Sequence, residues 1–149
     1  MSDDRDVNVF RPHKPGLQKM LGDLEAQIME VVWKHPEGDL LTVRDVLSDL
    51  NAHRDPPYAY TTIMTVMGNL ARKGLLIAYT QEQTHRYAAT LTKEAFTCQA
   101  VGRILDELLE DFAEPTIAHF ARRLDSAEGL ARARKKLTER KRRTRGTES

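Results

Sequence analysis

The sequence predicts a mainly α-helical chain with a small β-hairpin wing, in the order of a winged helix-turn-helix domain followed by a helical region. Two observations lead to this fold class. Three apolar stripes with helical spacing precede residue 75, and alternating apolar residues then extend to Leu91, as in two paired strands. Helical spacing returns after residue 92. A length of 149 residues fits one domain, or one small domain with an appendage.

The first two helices are predicted from terminal signals as well as from their stripes. The first helix is expected from about Leu24 to Lys34, with Asp23 at the N-cap position and a Pro-Gly segment at 35–38 as its end. The second helix is expected to start at Thr42, because Thr42 and Asp45 have the spacing of a capping box. Consecutive prolines at 56–57 stop any continuation.

The third helix, Tyr60 to Gly74, is the most informative segment of the chain. Its apolar residues recur at i, i+3, i+4 and i+7 from Ile63. The opposite face bears no acid, although 30% of the chain is charged; it is formed by Thr61, Thr65, Gly68 and Arg72 and flanked by Thr62, Met64 and Asn69. Short hydroxyl and amide side chains with a base can touch base edges and phosphates in a DNA major groove, whereas phosphate repels acids. An ordinary amphipathic surface helix is the alternative interpretation.

The hairpin follows Gly74. Leu40-Leu41 is expected to add a short strand, and a polar turn at 80–84 separates two alternating segments. Arg86 stands beside that turn, where a winged helix approaches DNA, so it is expected to contact the backbone or the minor groove. A solvated strand residue is the alternative for Arg86.

Residues 92–149 return to helix. One helix is expected to reach Phe112, Pro115 to begin another, and a helix to continue through Leu130 and Leu137. These helices bear more large apolar residues than isolated helices can hide, so packing against a second copy is expected. The expected dimerisation residues are Val101, Ile104, Leu105, Leu108, Phe112, Ile117, Phe120 and Leu124. The predicted organisation is a flexible arm (1–20), the winged domain (21–91), the dimerisation region (92–130) and a basic tail (131–149).

The net charge of +1 hides an asymmetry. Residues 131–149 contain nine bases and two acids, a charge of +7, so residues 1–130 sum to −6. The tail is either a non-specific attractant for nucleic acid or a solvated helix end. Because the body is acidic, any nucleic-acid surface must be local, and the acids Glu25, Glu30, Asp45 and Asp49 must face elsewhere.

Composition excludes several classes of protein. No apolar run approaches the length of a membrane span, and the first 20 residues lack a secretory signal. The single Cys98 fits a reducing cytoplasm, and we interpret it as a small buried residue or, alternatively, as a redox-sensing thiol. No catalytic motif, metal-ligand spacing or phosphate-binding glycine loop is present. We therefore expect no enzyme, no cofactor and no metal site.

Five segments in this order and spacing resemble the penicillinase-repressor family (BlaI/MecI type, with copper-responsive CopY-type relatives). They lie at residues 21–25, 42–46, 59–66, 70–75 and 85–87. The resemblance spans about residues 20–124. It implies a homodimeric winged-helix transcriptional repressor that binds a dyad-symmetric operator, with one third helix per half-site in the major groove. By position it implies DNA contacts from Thr61, Thr62, Met64, Thr65 and Asn69, with Arg86 on the wing. Arg72, on the same face of the third helix, is expected to bind DNA as well and to add affinity.

The resemblance also bears on the inducing signal. Antibiotic-responsive members are cleaved at an Asn-Phe bond after a membrane sensor with a metalloprotease domain responds, which would make antibiotic or cell-wall-stress genes the targets. In this chain Asn8, Asn51 and Asn69 precede Val, Ala and Leu, so that bond is missing. Copper-responsive members have a cysteine-rich metal motif that Cys98 alone cannot supply.

Two other functions compete with a DNA-binding repressor. A winged-helix module that binds only proteins is favoured by the charge of −3 over residues 22–91. A redox- or metal-responsive regulator would use Cys98 as its switch.

Overall fold

The computed structural model describes residues 10–146, with side chains to residue 143. The chain divides into two compact units between Val101 and Gly102. A short 3-10 helix is followed by three helices, a hairpin and two further helices: Gly16–Lys19, α1 Asp23–Lys34, α2 Val43–Asn51, α3 Tyr60–Arg72, β1 Leu76–Gln81, β2 Thr84–Ala89, α4 Lys93–Asp125 and α5 Ala127–Gly146. The predicted fold class, a winged helix-turn-helix followed by helices, is confirmed.

The core of the first unit is formed by the inward stripes of its three helices. Ile28, Val46, Ile63, Met67 and Leu70 are completely buried. Leu76 and Tyr87 extend this core into the hairpin, and Leu17 of the 3-10 helix packs on it as well. That 3-10 helix lies within the predicted arm, whose residues 1–9 are outside the described part of the chain.

The N-termini of α1 and α2 confirm one sequence prediction and correct another. At α2 the Thr42 hydroxyl accepts a hydrogen bond from the Asp45 N–H at 3.1 Å, and Asp45 Oδ2 accepts one from the Thr42 N–H at 2.9 Å, so the capping box is confirmed. The prediction of Asp23 as the N-cap of α1 was wrong. Gly22 occupies that position in extended conformation, because Glu25, three residues on, accepts its N–H at 3.1 Å.

The hairpin is tighter than the sequence predicted. Thr80 pairs with His85 and Gln81 with Thr84, so the turn consists of Glu82 and Gln83 alone. Both turn residues have positive φ, as a type I′ turn requires. The predicted turn at 80–84 was therefore wrong, since polar side chains pair well on an exposed hairpin. The predicted Leu40-Leu41 strand is reduced to one bridge between Leu41 and Tyr87.

The C-terminal helices break where Phe112 leaves helical conformation, with φ −136° and ψ 50°. Pro115, three residues later, has no N–H to bond an earlier carbonyl, which explains the break. The predicted change of helix between Phe112 and Pro115 is confirmed. A helix passes through Leu130 and Leu137, as predicted, but it does not continue from α4, because the chain breaks at Ser126. There the chain starts α5 anew, with the Ser126 hydroxyl accepting the Gly129 N–H at 2.9 Å. Helix α5 crosses the predicted boundary at residue 130, and the predicted domain ranges stay predictions.

Candidate nucleic-acid interface

Helix α3 turns its acid-free face to solvent. Ile63, Met67 and Leu70 are 0% exposed and fix the rotation of the helix about its axis. The other side of the helix is open: Met64 is 43% exposed, and the exposed positions beside it are Thr61, Thr62, Thr65 and Arg72. Five of the six predicted α3 contacts are therefore exposed, and Asn69 is half-buried.

The end of α3 is defined by a Schellman motif. The Leu75 N–H donates to the Leu70 carbonyl at 3.0 Å, and the Gly74 N–H donates to the Ala71 carbonyl at 3.1 Å. Gly74 adopts φ +83°, a conformation that glycine tolerates best. The motif sets the direction in which the chain leaves α3 and enters the hairpin at Leu76.

Two of the predicted contacts are bonded to each other. The Arg72 guanidinium donates to the Asn69 side-chain oxygen, one helical turn earlier. The amide N–H groups of Asn69 do not take part in that bond. Arg72 therefore reaches solvent from a restrained position at the carboxyl end of the exposed face.

The wing places Arg86 near the start of α2. Arg86 pairs across the hairpin with Tyr79, two pairs beyond the residues at the turn, and the Leu41–Tyr87 bridge lies beside it. Its guanidinium acts on the carboxylate of Asp45. The pKa of Asp45 is lowered chiefly by the Thr42 backbone hydrogen bond, with smaller contributions from the Thr42 hydroxyl, Arg86 and His35. The bridge at Leu41 brings the segment before α2 to the wing, and the orientation of Asp45 away from the interface stays a prediction.

The other three acids predicted to face elsewhere are engaged in ion pairs. Glu25 pairs with Lys73 at 2.8 Å, and both side chains are largely buried. Glu30 pairs with Lys93 at 2.9 Å, and Asp49 pairs with His35 at 2.9 Å. These contacts connect α1 to the elements that follow it, and the two lysines counter the charges of Glu25 and Glu30.

Sequence reasoning missed two arginines near the start of α3. The Arg44 guanidinium carbon lies 5.4 Å from the centre of the Tyr60 ring, and that of Arg54 lies 3.7 Å from the centre of the Tyr58 ring. Both distances are in the range of cation–π contacts. A base in the first turn of α2, at Arg44, was a usable signal, since a helix N-terminus favours acids.

Other candidate sites gain no support. Within residues 10–143, no group of three or more His, Cys, Asp or Glu side chains could hold a metal ion. Cys98 is exposed, so its interpretation as a buried apolar residue was wrong. In the same part of the chain, no helix is both long and apolar enough to cross a membrane.

Comparison with known proteins identifies the family. The family model described as "Penicillinase repressor" matches residues 21–139, most of the chain. The chain belongs to the penicillinase repressor family. A curated relative, the transcriptional regulator BlaI of Mycobacterium tuberculosis (strains CDC 1551 and H37Rv), is 37% identical over 119 residues, which are 76% of this chain and 81% of the relative.

Membership of the penicillinase repressor family confirms the resemblance read from the sequence and makes the chain a transcriptional repressor rather than an enzyme. Two solved structures are also similar. The solution structure of the DNA-binding domain of the repressor BlaI has 23% identity, covers 49% of this chain and 83% of its own, and has a TM-score of 0.41. Monomeric Bacillus licheniformis BlaI in complex with the blaP half-operator has 23% identity, covers 50% and 85%, and has a TM-score of 0.40.

Proposed function

We propose that this penicillinase-repressor relative binds a dyad-symmetric operator as a homodimer and represses the adjoining genes. The exposed, acid-free face of α3 is the observation that supports this most directly. A helix that buries Ile63, Met67 and Leu70 while presenting Thr61, Thr65 and Arg72 can enter a major groove without repelling phosphate.

The short polar side chains of α3, together with Met64, suit recognition of DNA base edges by hydrogen bonds and apolar contacts. The hydroxyls of Thr61, Thr62 and Thr65 can donate to or accept from base edges and phosphates. Met64, flexible and 43% exposed, can cover a thymine methyl group. Asn69 offers its amide N–H groups to an acceptor while Arg72 holds its oxygen.

The wing would contact the sugar-phosphate backbone of the DNA. Arg86 stands on β2 opposite Tyr79, close to the turn, from which a guanidinium can bind phosphate or enter the minor groove. In the free protein its positive charge attracts the Asp45 carboxylate and helps lower the pKa of that group. Binding would exchange part of that attraction for the stronger field of the DNA backbone.

The C-terminal helices supply the surface for a second copy. Six large apolar side chains in the part of α4 that belongs to the second unit are between 39% and 59% exposed: Leu108, Leu109, Phe112, Ile117, Phe120 and Leu124. Apolar surface of this extent on helices indicates an interface, and a symmetric dimer covers it with one kind of contact. Ile104 and Leu105 are half-buried and would lie at its margin.

The signal that releases the repressor is part of the same proposal. Regulation of antibiotic or cell-wall-stress genes in the cytoplasm, through a membrane sensor-protease pathway, fits the family. The chain lacks the Asn-Phe bond that such a pathway cuts. If that pathway acts here, cleavage occurs at another bond.

Binding of the full chain to DNA tests the proposal. The duplex is a palindrome from the upstream region of its own gene, and random duplex at equal salt is the control. We expect a dissociation constant on the order of 10 nM or below for the palindrome, orders of magnitude tighter than for random DNA, and a dimer in sedimentation. Equal binding to both duplexes, or a monomer at micromolar concentration, would contradict the proposal.

Thr65→Glu adds a carboxylate at the centre of the exposed face and should abolish palindrome binding while leaving the dimer intact. Thr65→Gln has the same shape without the charge and should retain more affinity. Gln99→Glu adds the same charge to α4 and should bind as the parent does. If Thr65→Glu binds normally, α3 does not read the operator.

A further inference from the structure

Two exposed arginines that the interface described above does not use lie near the start of α3: Arg44 in the first turn of α2, and Arg54 in the segment between α2 and α3. Arg54 stacks on Tyr58 at 3.7 Å, and Arg44 lies over Tyr60 at 5.4 Å. Tyr58 and Tyr60 flank Ala59, the residue that caps α3. The two guanidinium groups are therefore held beside the amino end of the helix proposed to enter the major groove.

The platform under Arg54 is fixed by hydrogen bonds. Asn51, at the end of α2, donates from Nδ2 to the Tyr58 carbonyl at 3.1 Å and accepts the Tyr58 N–H at 2.8 Å. The Tyr58 hydroxyl donates to Gln27 on α1 at 3.3 Å. Because both the backbone and the ring of Tyr58 are held, the stacked guanidinium loses little freedom when it binds a ligand.

Arg44 occupies a position that helix stability does not explain. It lies in the first turn of α2, where the helix dipole disfavours a cation. The neighbouring Asp45 carboxylate is already bonded to Thr42. Within residues 10–143, neither Arg44 nor Arg54 forms an ion pair.

Few bases of the predicted winged domain are left without a partner or an assigned role. Residues 22–91 contain six Lys and Arg side chains. Lys73 is paired with Glu25, and Arg72 and Arg86 already belong to the interface proposed above. Of the three that remain, Arg44 and Arg54 lie beside the start of α3, whereas Lys34 ends α1.

We infer that Arg44 and Arg54 bind phosphates of the duplex backbone and seat the amino end of α3 in the groove. A guanidinium stacked by its face on a tyrosine ring keeps its N–H edge available, and that edge matches two phosphate oxygens. The inference rests on the proposed function and assigns the phosphate partners of its interface. The two arginines are positioning residues, since phosphate contacts fix register without reading sequence.

The salt dependence of binding tests this role. Titration of the palindromic duplex at several KCl concentrations gives the slope of log K against log salt for the parent, Arg44→Gln, Arg54→Gln and the double variant. Each substitution removes one phosphate contact per protomer and two per dimer, so the slope should become shallower by about 1.8 and binding should weaken roughly a hundredfold at physiological salt. Preference for palindrome over random duplex should stay unchanged. Lys34→Gln removes an equal charge from a cleft that no α3 residue lines, and it should match the parent.

The ring of Tyr58 gives a second measurement. Tyr58→Phe keeps the stacking face and should bind almost as the parent does, whereas Tyr58→Leu should weaken binding as Arg54→Gln does. Circular dichroism and thermal unfolding establish that each variant is folded. If a tyrosine variant does not fold, the arginine variants, which change only exposed side chains, still decide the question.

Each remaining outcome is decisive. A double variant with the parent's slope and affinity overturns the inference, while the parent's own preference for the palindrome leaves the proposed function intact. A changed base preference with an unchanged slope also overturns it, because the arginines would then read bases. If the parent does not distinguish the two duplexes, the proposed function fails, and the slope on random duplex still tests the phosphate contacts.

Discussion

Asp45 combines two roles at the scale of a single residue. Its carboxylate accepts the Thr42 N–H and so closes the N-terminus of α2, and it also faces the wing arginine. An acid in the first turn of a helix is stabilising, yet the same charge stands beside a surface proposed to meet phosphate. The capping bonds with Thr42 orient the carboxylate toward the backbone of its own helix and limit that repulsion.

The lowered pKa of Asp45 makes its contribution to stability depend on pH. A folded-state pKa below the ordinary 3.8 means that the stabilisation is complete above about pH 4 and is lost as the pH falls through the folded-state value. Asp45→Asn should therefore be less stable than the parent at pH 7, by roughly 0.5 kcal/mol. Urea unfolding of both proteins at pH 7 and at pH 3 should show the difference shrinking in acid.

The control for this experiment is Thr42→Ala, which removes the hydroxyl that accepts the Asp45 N–H. That bond does not depend on the protonation of the carboxyl group. The variant should lose about 1 kcal/mol of stability at pH 7 and most of that at pH 3, because only the smaller interaction of the hydroxyl with the Asp45 carboxylate depends on pH. A difference between Asp45→Asn and the parent that is the same at pH 7 and pH 3 would contradict the role assigned to the charge.

At the scale of the element, α3 contains one glycine, Gly68, and is followed by another, Gly74, and the two differ in whether their backbone conformation tolerates a side chain. Gly68 lies within the helix and has open space around its Cα, so it is an ordinary helical residue without a side chain. Gly74 lies beyond the last turn at φ +83°, also with open space. A side chain is compatible with the backbone of Gly68 and strains that of Gly74.

The two alanine variants should move stability in opposite directions. Gly68→Ala should stabilise the fold by roughly 0.5–1 kcal/mol, because alanine loses less conformational entropy in a helix. Gly74→Ala should destabilise it by about 1–2 kcal/mol, because of the left-handed backbone rather than any clash. Thermal unfolding measures both, and each variant is the other's control. Equal shifts of the same sign would contradict the assigned geometry of α3 and its cap.

Features that depend on one element could be predicted from the sequence, whereas contacts between elements could not. The exposed face of α3 follows from periodicity alone, and Gly74 is a local signal, so both were predictable. The Arg44–Tyr60 contact depends on how α2 packs against α3, and the approach of Asp45 to Arg86 depends on a bridge between Leu41 and Tyr87. No local pattern encodes such pairs. The break at Ser126 was missed because a single hydroxyl cap is a weak signal inside a helical sequence.

At the scale of the whole molecule, charge is separated along the chain. Residues 131–149 have a charge of +7 and the rest −6. All nine bases of residues 131–149 lie on α5, Ala127–Gly146, and the eight up to Arg143 have exposed side chains. A basic helix of this kind attracts a polyanion at any sequence. We propose that α5 adds affinity that the sparsely charged α3 does not provide.

Neutralising part of α5 separates affinity from sequence preference. Replacing Lys135, Lys136, Lys141 and Arg142 with glutamine keeps good helix formers while removing four charges. The slope of log K against log salt should fall by up to about 0.9 for each lost phosphate contact, with an unchanged preference for the palindrome over random duplex. Replacing the three lysines with arginine retains the charge and should leave the slope as it is. An unchanged slope in the glutamine variant would mean that α5 is a solvated helix without a part in DNA binding, and that the affinity comes from the winged unit alone.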